Sequence, residues 1–163
     1  MDFLERISRF LNFLLLAIAG VFMVAMVLVT CSDIFLRITW VPIRGSVELV
    51  GYFSAVVTAF ALGYTQMRKG HTSVDVVVNL FPVKVKRFLS MLNSLICAAF
   101  FALAAWRITI WSTTIRNLGE VSETLGLPFY FFSYGVALGC AVLSLVFLID
   151  FLKSMMPWKE EAA

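Results

Sequence analysis

The sequence predicts an all-α integral membrane protein with four transmembrane helices, and two observations predict it. Four stretches contain no charged residue and no histidine, and they cover residues 10–32, 49–67, 88–106 and 124–149. An apolar helix needs about 20 residues to cross the hydrocarbon core of a bilayer. Hydrophobic residues also make up 61% of the chain and charged residues only 14%, which excludes the usual soluble classes.

We expect the spans to form a single membrane domain, residues 1–163, because no connecting segment is long enough to fold alone. Adding flanking residues places the spans at about 10–32, 47–67, 88–108 and 126–150, with a loop at 68–87. The first span is longer than the apolar region of a signal peptide, and no small-residue cleavage pattern follows it. We therefore predict that it is a retained helix.

The distribution of basic residues predicts that both termini face the cytoplasm. Of the 13 Lys and Arg residues, nine lie in the terminal segments and the loop 68–87, and four lie in the other two loops. Basic residues stay on the cytoplasmic side of a membrane. The two remaining loops then face the periplasm.

The cytoplasmic loop is predicted to contact lipid headgroups. Residues 72–80 carry apolar side chains at the spacing of one helix face, which favours a short helix lying in the interface. A continuation of the second helix, or an ordered loop, is the alternative. The candidate residues of this loop are His71, Asp75, Lys84, Lys86 and Arg87.

The second span carries a small-residue ladder, Gly51, Ala55, Ala59 and Gly63. Small residues repeated every four positions let another helix backbone come close in a membrane. We therefore predict a helix-packing face, used within the protein or against a partner.

Charged residues near the outer ends of the first two spans are the candidates for chemistry. Asp33 and Arg37 are four residues apart, and so are Arg44 and Glu48, a spacing suited to ion pairs on a helix. Glu48 is the best candidate for a buried acid, because an apolar run begins directly after it. An ion pair with Arg44 or with a partner helix is one interpretation, and proton coupling is the other.

Other residue types exclude several classes of redox and catalytic protein. His71 is the only histidine, which excludes a di-haem bundle. The three cysteines form no Cys-X-X-Cys pair, which disfavours a thiol oxidoreductase. We expect no enzymatic activity, no cofactor or metal on this chain, and no nucleic-acid partner.

The segment before the fourth span contains candidate capping and contact residues. Ser122 or Thr124 is suited to cap the fourth helix. The aromatic run at 129–134 predicts a belt at the outer interface. Glu120 and Glu123 add negative charge, either for contact with a soluble partner or simply hydrated.

Several motifs together resemble the small membrane (Q) subunit of tripartite ATP-independent periplasmic (TRAP) transporters. They are Arg37 at the end of the first span, Arg-Gly-Ser-Val-Glu-Leu at 44–49, Gly-His-Thr-Ser-Val-Asp at 70–75, and Ser-Glu-Thr-Leu-Gly-Leu-Pro at 122–128. Their order and spacing match over almost the whole chain, as do the length and the four spans.

The resemblance implies a non-catalytic subunit of the bacterial inner membrane that scaffolds a large membrane (M) subunit and works with a periplasmic substrate-binding (P) protein. In that family the large subunit holds the sodium and substrate sites and moves as an elevator, so sodium is expected there. The transported substrates are small organic acids. Position and charge predict contacts of Arg37, Arg44, Glu48 and the small-residue ladder with the large subunit, and of Glu120 and Glu123 with the binding protein.

Two other functions compete with this interpretation. A self-sufficient homodimeric exporter would use Glu48 for proton coupling, and it would transport without any other subunit. A membrane redox enzyme is disfavoured by the single histidine and the unpaired cysteines.

Overall fold

The computed structural model describes residues 2–39, 41–67 and 83–155, and four α-helices account for most of them. The helices are α1 (Asp2–Thr39), α2 (Ser46–Met67), α3 (Val83–Leu118) and α4 (Tyr130–Met155). Each contains a stretch long and apolar enough to cross a membrane. The all-α fold class with four membrane-spanning helices is therefore confirmed. The orientation of the termini stays a prediction, and the short helix expected at 72–80 lies outside the described residues.

The helix α1 continues beyond the span expected from hydropathy. It runs through Asp33 and Arg37 to Thr39, because no proline or glycine interrupts this stretch. The Arg37 Nε donates to Asp33 Oδ2 at 2.9 Å, which confirms the predicted i, i+4 ion pair. Pro42 follows shortly after the helix ends, where it disfavours further helix.

The helix α3 is also longer than expected, and a glycine ends it. Gly119 has a φ of 67°, and its N–H bonds to the Arg116 carbonyl at 3.3 Å. The Glu120 N–H reaches back to the Ile115 carbonyl at 3.2 Å. This pair of bonds is the Schellman motif, which satisfies the last carbonyls of a helix.

The helices α1 and α3 each bury one narrow stripe of side chains. In α1 the stripe consists of Ser8, Asn12, Leu15, Ala19, Phe22, Met26, Val29 and Asp33. In α3 it consists of Met91, Ser94, Ala98, Phe101, Ala105, Ile108, Ser112 and Ile115. Alternating steps of three and four residues are typical of left-handed coiled-coil seams. Each long helix therefore lies nearly antiparallel along its neighbour.

The helices pack as a row in the order α1, α2, α4, α3. The helix α1 packs on α2, α2 also packs on α4, and α4 packs on α3, while α1 touches α4 only lightly. In the apolar, membrane-crossing segment of each helix, only 11% is buried in α1 and 17% in α3, against 28% in α2 and 33% in α4. The two flanking helices therefore leave large apolar faces uncovered by the rest of the chain.

Two apolar clusters hold the row together. One joins α1, α2 and α4 through Leu15, Ala19, Val56, Ala59, Phe60 and Val142. The other joins α3 and α4 through Ala98, Leu143 and Phe147. Leu62 of α2 packs against this second cluster, so α2 and α4 form the centre of the protein.

Truncation of Leu143 tests this core. Its side chain is 1% exposed. Lipid is as apolar as leucine, so the loss comes mainly from the cavity and the missing packing contacts. We expect Leu143→Ala to lower the free energy of unfolding in detergent by about 1–2 kcal/mol. Leu145→Ala on the same helix is the control, because Leu145 is 51% exposed; an equal loss in both variants would contradict this core.

Candidate functional site

The loop between α3 and α4 binds Glu48 in the first turn of α2. The Ser122 hydroxyl donates to Glu48 Oε2, and the Thr124 hydroxyl donates to Oε1 at 2.6 Å. The backbone N–H groups of Thr124 and Leu125 lie near this carboxylate and interact favourably with its charge. Hydrogen bonds to a charged acceptor are stronger than neutral ones. We call Glu48, Ser122, Thr124 and Leu125 the loop clasp.

The loop clasp overturns the expected pairing of Glu48 with Arg44. Arg44 is exposed, and in the described part of the chain no ion pair joins it to Glu48. The carboxylate instead faces donors from a loop more than 70 residues later in the sequence. The Arg44 alternative was wrong because a loop distant in sequence supplies the donors, while a contact of Glu48 with a partner helix stays a prediction.

The expected helix cap is also wrong. The helix α4 begins at Tyr130, well beyond Ser122 and Thr124, whose hydroxyls face Glu48. The loop folds back on itself before the helix starts, because the Ser122 N–H bonds to the Leu127 carbonyl at 2.9 Å. This closed loop directs the two hydroxyls toward α2.

Asp33 ties the loop between α1 and α2 in a similar way. Its side chain is buried, and its Oδ1 accepts the Ile43 N–H at 2.9 Å. Ser46 is buried and its side chain lies near the same carboxylate. Together with the ion pair to Arg37, the bond from Ile43 fixes the end of α1 against the start of α2.

Gly45 brings the two loops into direct contact. Its φ of 79° lies in the left-handed region that favours glycine. A side chain at this position would overlap the Leu125 side chain. The α1–α2 loop therefore lies directly against the loop clasp.

Aromatic rings connect the four helices next to the loop clasp. The rings in contact are Phe22, Tyr52, Phe53, Trp111, Phe129 and Phe132. Tyr52 stacks on Phe129 and Phe132 at centroid distances of 5.8 and 5.4 Å. Phe131 is 63% exposed. The expected aromatic belt at 129–134 is therefore divided between the surface and the interior.

A shallow cleft opens beside the loop clasp. Its lining residues are Glu48, Tyr52, Glu120, Val121, Ser122, Glu123 and Phe129. Glu120 and Glu123, which we expect to contact the binding protein, are exposed here. The fold thus brings both residues close to Glu48, and their contact with a partner stays a prediction.

The small-residue ladder has a buried half, Ala59 and Gly63. Ala59 packs on α4 so closely that a Cβ on Gly139 would lie 2.8 Å from the Ala59 carbonyl oxygen. Gly63 packs against Asn12 of α1. This half of the ladder serves packing within the chain.

The other half, Gly51 and Ala55, is exposed. A Cβ on Gly51 would meet nothing within 4 Å. A four-residue repeat drifts by about 40° per step around an α-helix, so the ladder turns from the protein interior to the surface. Contact of Gly51 and Ala55 with a partner subunit stays a prediction.

The residues expected in the cytoplasmic loop fall into two groups. His71 and Asp75 lie outside the described residues. Lys84, Lys86 and Arg87 belong to the first turns of α3, which begins at Val83. Their placement in a loop was wrong, because the helix starts directly after Pro82, a residue suited to a helix start.

Sequence reasoning missed two polar contacts near one end of the row. Gln66 of α2 donates from Nε2 to Asp150 Oδ2 of α4 at 3.2 Å. Asn12 is fully buried on the seam of α1. The heptad spacing of Asn12 and Asp33 on α1 was a signal that could have identified this seam.

Comparison with known families shows which family the chain belongs to. The family model for the DctQ component of tripartite ATP-independent periplasmic transporters matches residues 26–156. The chain belongs to this family. The match includes the loop clasp, the cleft and every ring of the aromatic contacts except Phe22. No curated protein and no solved structure matches the chain.

Membership makes the chain a multi-pass membrane component of a TRAP transporter. Within the described ranges, no group of three His, Cys, Asp or Glu side chains could hold a metal ion. The polar contacts found in this DctQ component connect its own helices and loops.

Proposed function

We propose that this DctQ component is a non-catalytic small subunit that scaffolds the large elevator-type membrane subunit of a TRAP transporter. The complex would take up a small organic acid, driven by sodium and supplied by a periplasmic binding protein. The observation that carries the proposal is the open row of helices. Its flanks, α1 and α3, expose apolar faces that the rest of the chain does not cover.

The distribution of polar groups supports a scaffolding role. Ion and substrate pathways in membrane proteins need ionisable or polar groups that face an aqueous cavity. The centres of the four spans contain no charged residue. Asp33, Glu48 and Asp150 lie toward the helix ends, and each accepts hydrogen bonds from its own chain. We therefore assign the sodium and substrate sites to the large subunit.

The exporter hypothesis gains no support from Glu48. A proton-coupling carboxylate must exchange protons and alternate between partners. Glu48 instead accepts hydrogen bonds from two hydroxyl groups of one loop. This arrangement favours a structural role.

The proposal includes an orientation and two surfaces. Both termini would face the cytoplasm, with Lys84, Lys86 and Arg87 near the headgroups. The loop clasp and the cleft would then face the periplasm. Arg37 and Arg44 would contact the large subunit there, and Glu120 and Glu123 would contact the binding protein.

Reconstitution tests the proposal. The chain is co-expressed with the large subunit and the binding protein, and proteoliposomes are assayed for uptake with and without a sodium gradient. We expect the chain to elute with the large subunit in a fixed ratio and to transport nothing alone. Sodium-dependent uptake should need all three components. Transport by this chain alone, or its elution as a homodimer only, would contradict the proposal.

A pair of matched variants tests the exposed half of the small-residue ladder in the same preparation. Ala55→Leu and Ala141→Leu each enlarge an exposed alanine within a span, on the central helices α2 and α4 respectively. We expect Ala55→Leu to reduce co-elution and Ala141→Leu to leave it unchanged, because Ala55 belongs to the small-residue ladder, a pattern that marks helix interfaces in membranes, and Ala141 does not. If the two variants co-eluted with the large subunit equally well, Ala55 would not lie in the interface. The scaffolding proposal would be unaffected by that result.

A further inference from the structure

Asn12 is an unusual residue for the interior of a membrane protein. Its side chain is 0% exposed, and its Oδ1 has no hydrogen-bond partner. Its Nδ2 donates to the Ser8 carbonyl one turn earlier, at 2.9 Å. A buried polar atom without a partner is costly and calls for an explanation.

The orientation of the amide follows from its surroundings. The Ser8 carbonyl can only accept, so rotating the amide would bring two oxygen atoms together. The Nδ2 must therefore face Ser8, and the Oδ1 must face α2. The residue it meets there is Gly63, where a Cβ would overlap the Oδ1.

Gly63 carries a hydrogen where other residues carry a side chain, and this hydrogen points toward the Asn12 Oδ1. A glycine Cα–H can donate a weak hydrogen bond to an oxygen at a helix–helix contact. Apart from Asn12 and the adjacent residues of α2, no atom lies within 4 Å of a Cβ built on Gly63. The Gly63 Cα–H is therefore the donor available to the Asn12 carbonyl.

Asn12 also occupies a special place on the seam of α1. It lies 21 residues before Asp33, which is three heptads, so both polar residues belong to the buried stripe. Buried polar residues on a coiled-coil seam are best known for specifying register at some cost in stability. Asp33 fixes one end of the seam through the hydrogen bond that its carboxylate accepts from the Ile43 N–H.

We propose that Asn12 and Gly63 form a register contact that, together with Asp33, sets the position of α1 along α2. This role goes beyond the scaffolding function and does not depend on it. If α1 slipped by one heptad toward the start of α2, the amide would move from Gly63 to the region of Val56. The branched Val56 side chain offers no hydrogen-bond donor to the Asn12 carbonyl and leaves less room for the amide than a glycine does. The observed register instead places a glycine opposite the amide and keeps the hydrogen bond from Ile43 to Asp33.

The contact is tested in the full-length chain in lipid nanodiscs. Gly63→Ala should lower the thermal midpoint by about 5 °C, because the added methyl group meets the Asn12 amide. Gly51→Ala is the matched control and should leave the midpoint unchanged or raise it, since its Cβ meets nothing and alanine favours a helix. Adding Asn12→Ala to Gly63→Ala should restore at least half of the loss, because the amide is the only obstacle.

A second measurement separates the proposed contact from simple crowding. In glycine-labelled protein, the Gly63 Hα resonance should lie downfield of those of Gly20 and Gly51, and Asn12→Leu should remove this shift. An unshifted Gly63 resonance in the unmodified chain, or a downfield shift that persists in Asn12→Leu, would overturn the proposal.

Discussion

Replacing Gly139 with alanine is expected to force α2 and α4 apart and to lower the free energy of unfolding by about 3 kcal/mol. The added Cβ would lie 2.8 Å from the Ala59 carbonyl oxygen and 2.9 Å from the Ala59 Cβ. Neither atom belongs to a flexible side chain that could move aside. The helices α2 and α4 form the centre of the row, so their separation would disturb both apolar clusters.

Gly135→Ala is the matched control for this prediction. Gly135 lies one helical turn before Gly139 on the same helix, but its Cβ would meet Val56 Cγ2 at an ordinary 3.6 Å. Alanine also favours a helix over glycine by roughly 1 kcal/mol. We therefore expect Gly135→Ala to be neutral or stabilising. Denaturant titration of both variants in the same detergent measures the difference, and equal midpoints would refute the close α2–α4 contact.

The membrane class and the number of helices could be predicted because they depend on local composition. A run of about 20 apolar residues is sufficient to identify a span. The ion pair of Asp33 with Arg37 was predictable for the same reason, since both residues lie on one helix. These features need no knowledge of which helices are neighbours.

The ends of the helices could not be read from hydropathy. An apolar span stops where charge appears, but a helix stops only where its backbone can no longer continue. Arg107 ends the third apolar stretch, whereas α3 continues to Leu118 and stops at the left-handed Gly119. Glycine and proline positions would have predicted these ends better.

The order of the helices and the partner of Glu48 were also beyond sequence reasoning. Lipid and protein interiors are equally apolar, so hydrophobicity does not reveal which face of a membrane helix meets another helix. Glu48 had Arg44 nearby in sequence, but its donors come from Ser122 and Thr124. Such a contact depends on how the α3–α4 loop folds back, which no local pattern predicts.

Replacing Glu48 with glutamine is expected to release the α3–α4 loop from α2. Glutamine has nearly the same size, but it loses the negative charge and places an N–H₂ group against one of the donors that bind Glu48. The Ser122 and Thr124 hydroxyls, which donate to the carboxylate, would lose a strong acceptor. We expect hydrogen exchange of the Ser122 and Gly126 amides, whose bonds close the α3–α4 loop, to accelerate by about tenfold or more, because local opening controls exchange.

Glu120→Gln provides the control, because it removes the same charge from the same cleft at an exposed residue outside the loop clasp. Hydrogen exchange of the two amides should be unchanged in this variant. If Glu120→Gln accelerated exchange as much as Glu48→Gln, the cleft's overall charge would hold the loop, not the hydrogen bonds to Glu48.

In the complete transporter, Glu48→Gln should also weaken co-elution of the binding protein more than Glu120→Gln if an ordered loop positions the cleft. Loss of binding-protein contact in Glu120→Gln alone would instead assign recognition to the exposed carboxylate and leave the loop clasp a purely structural role.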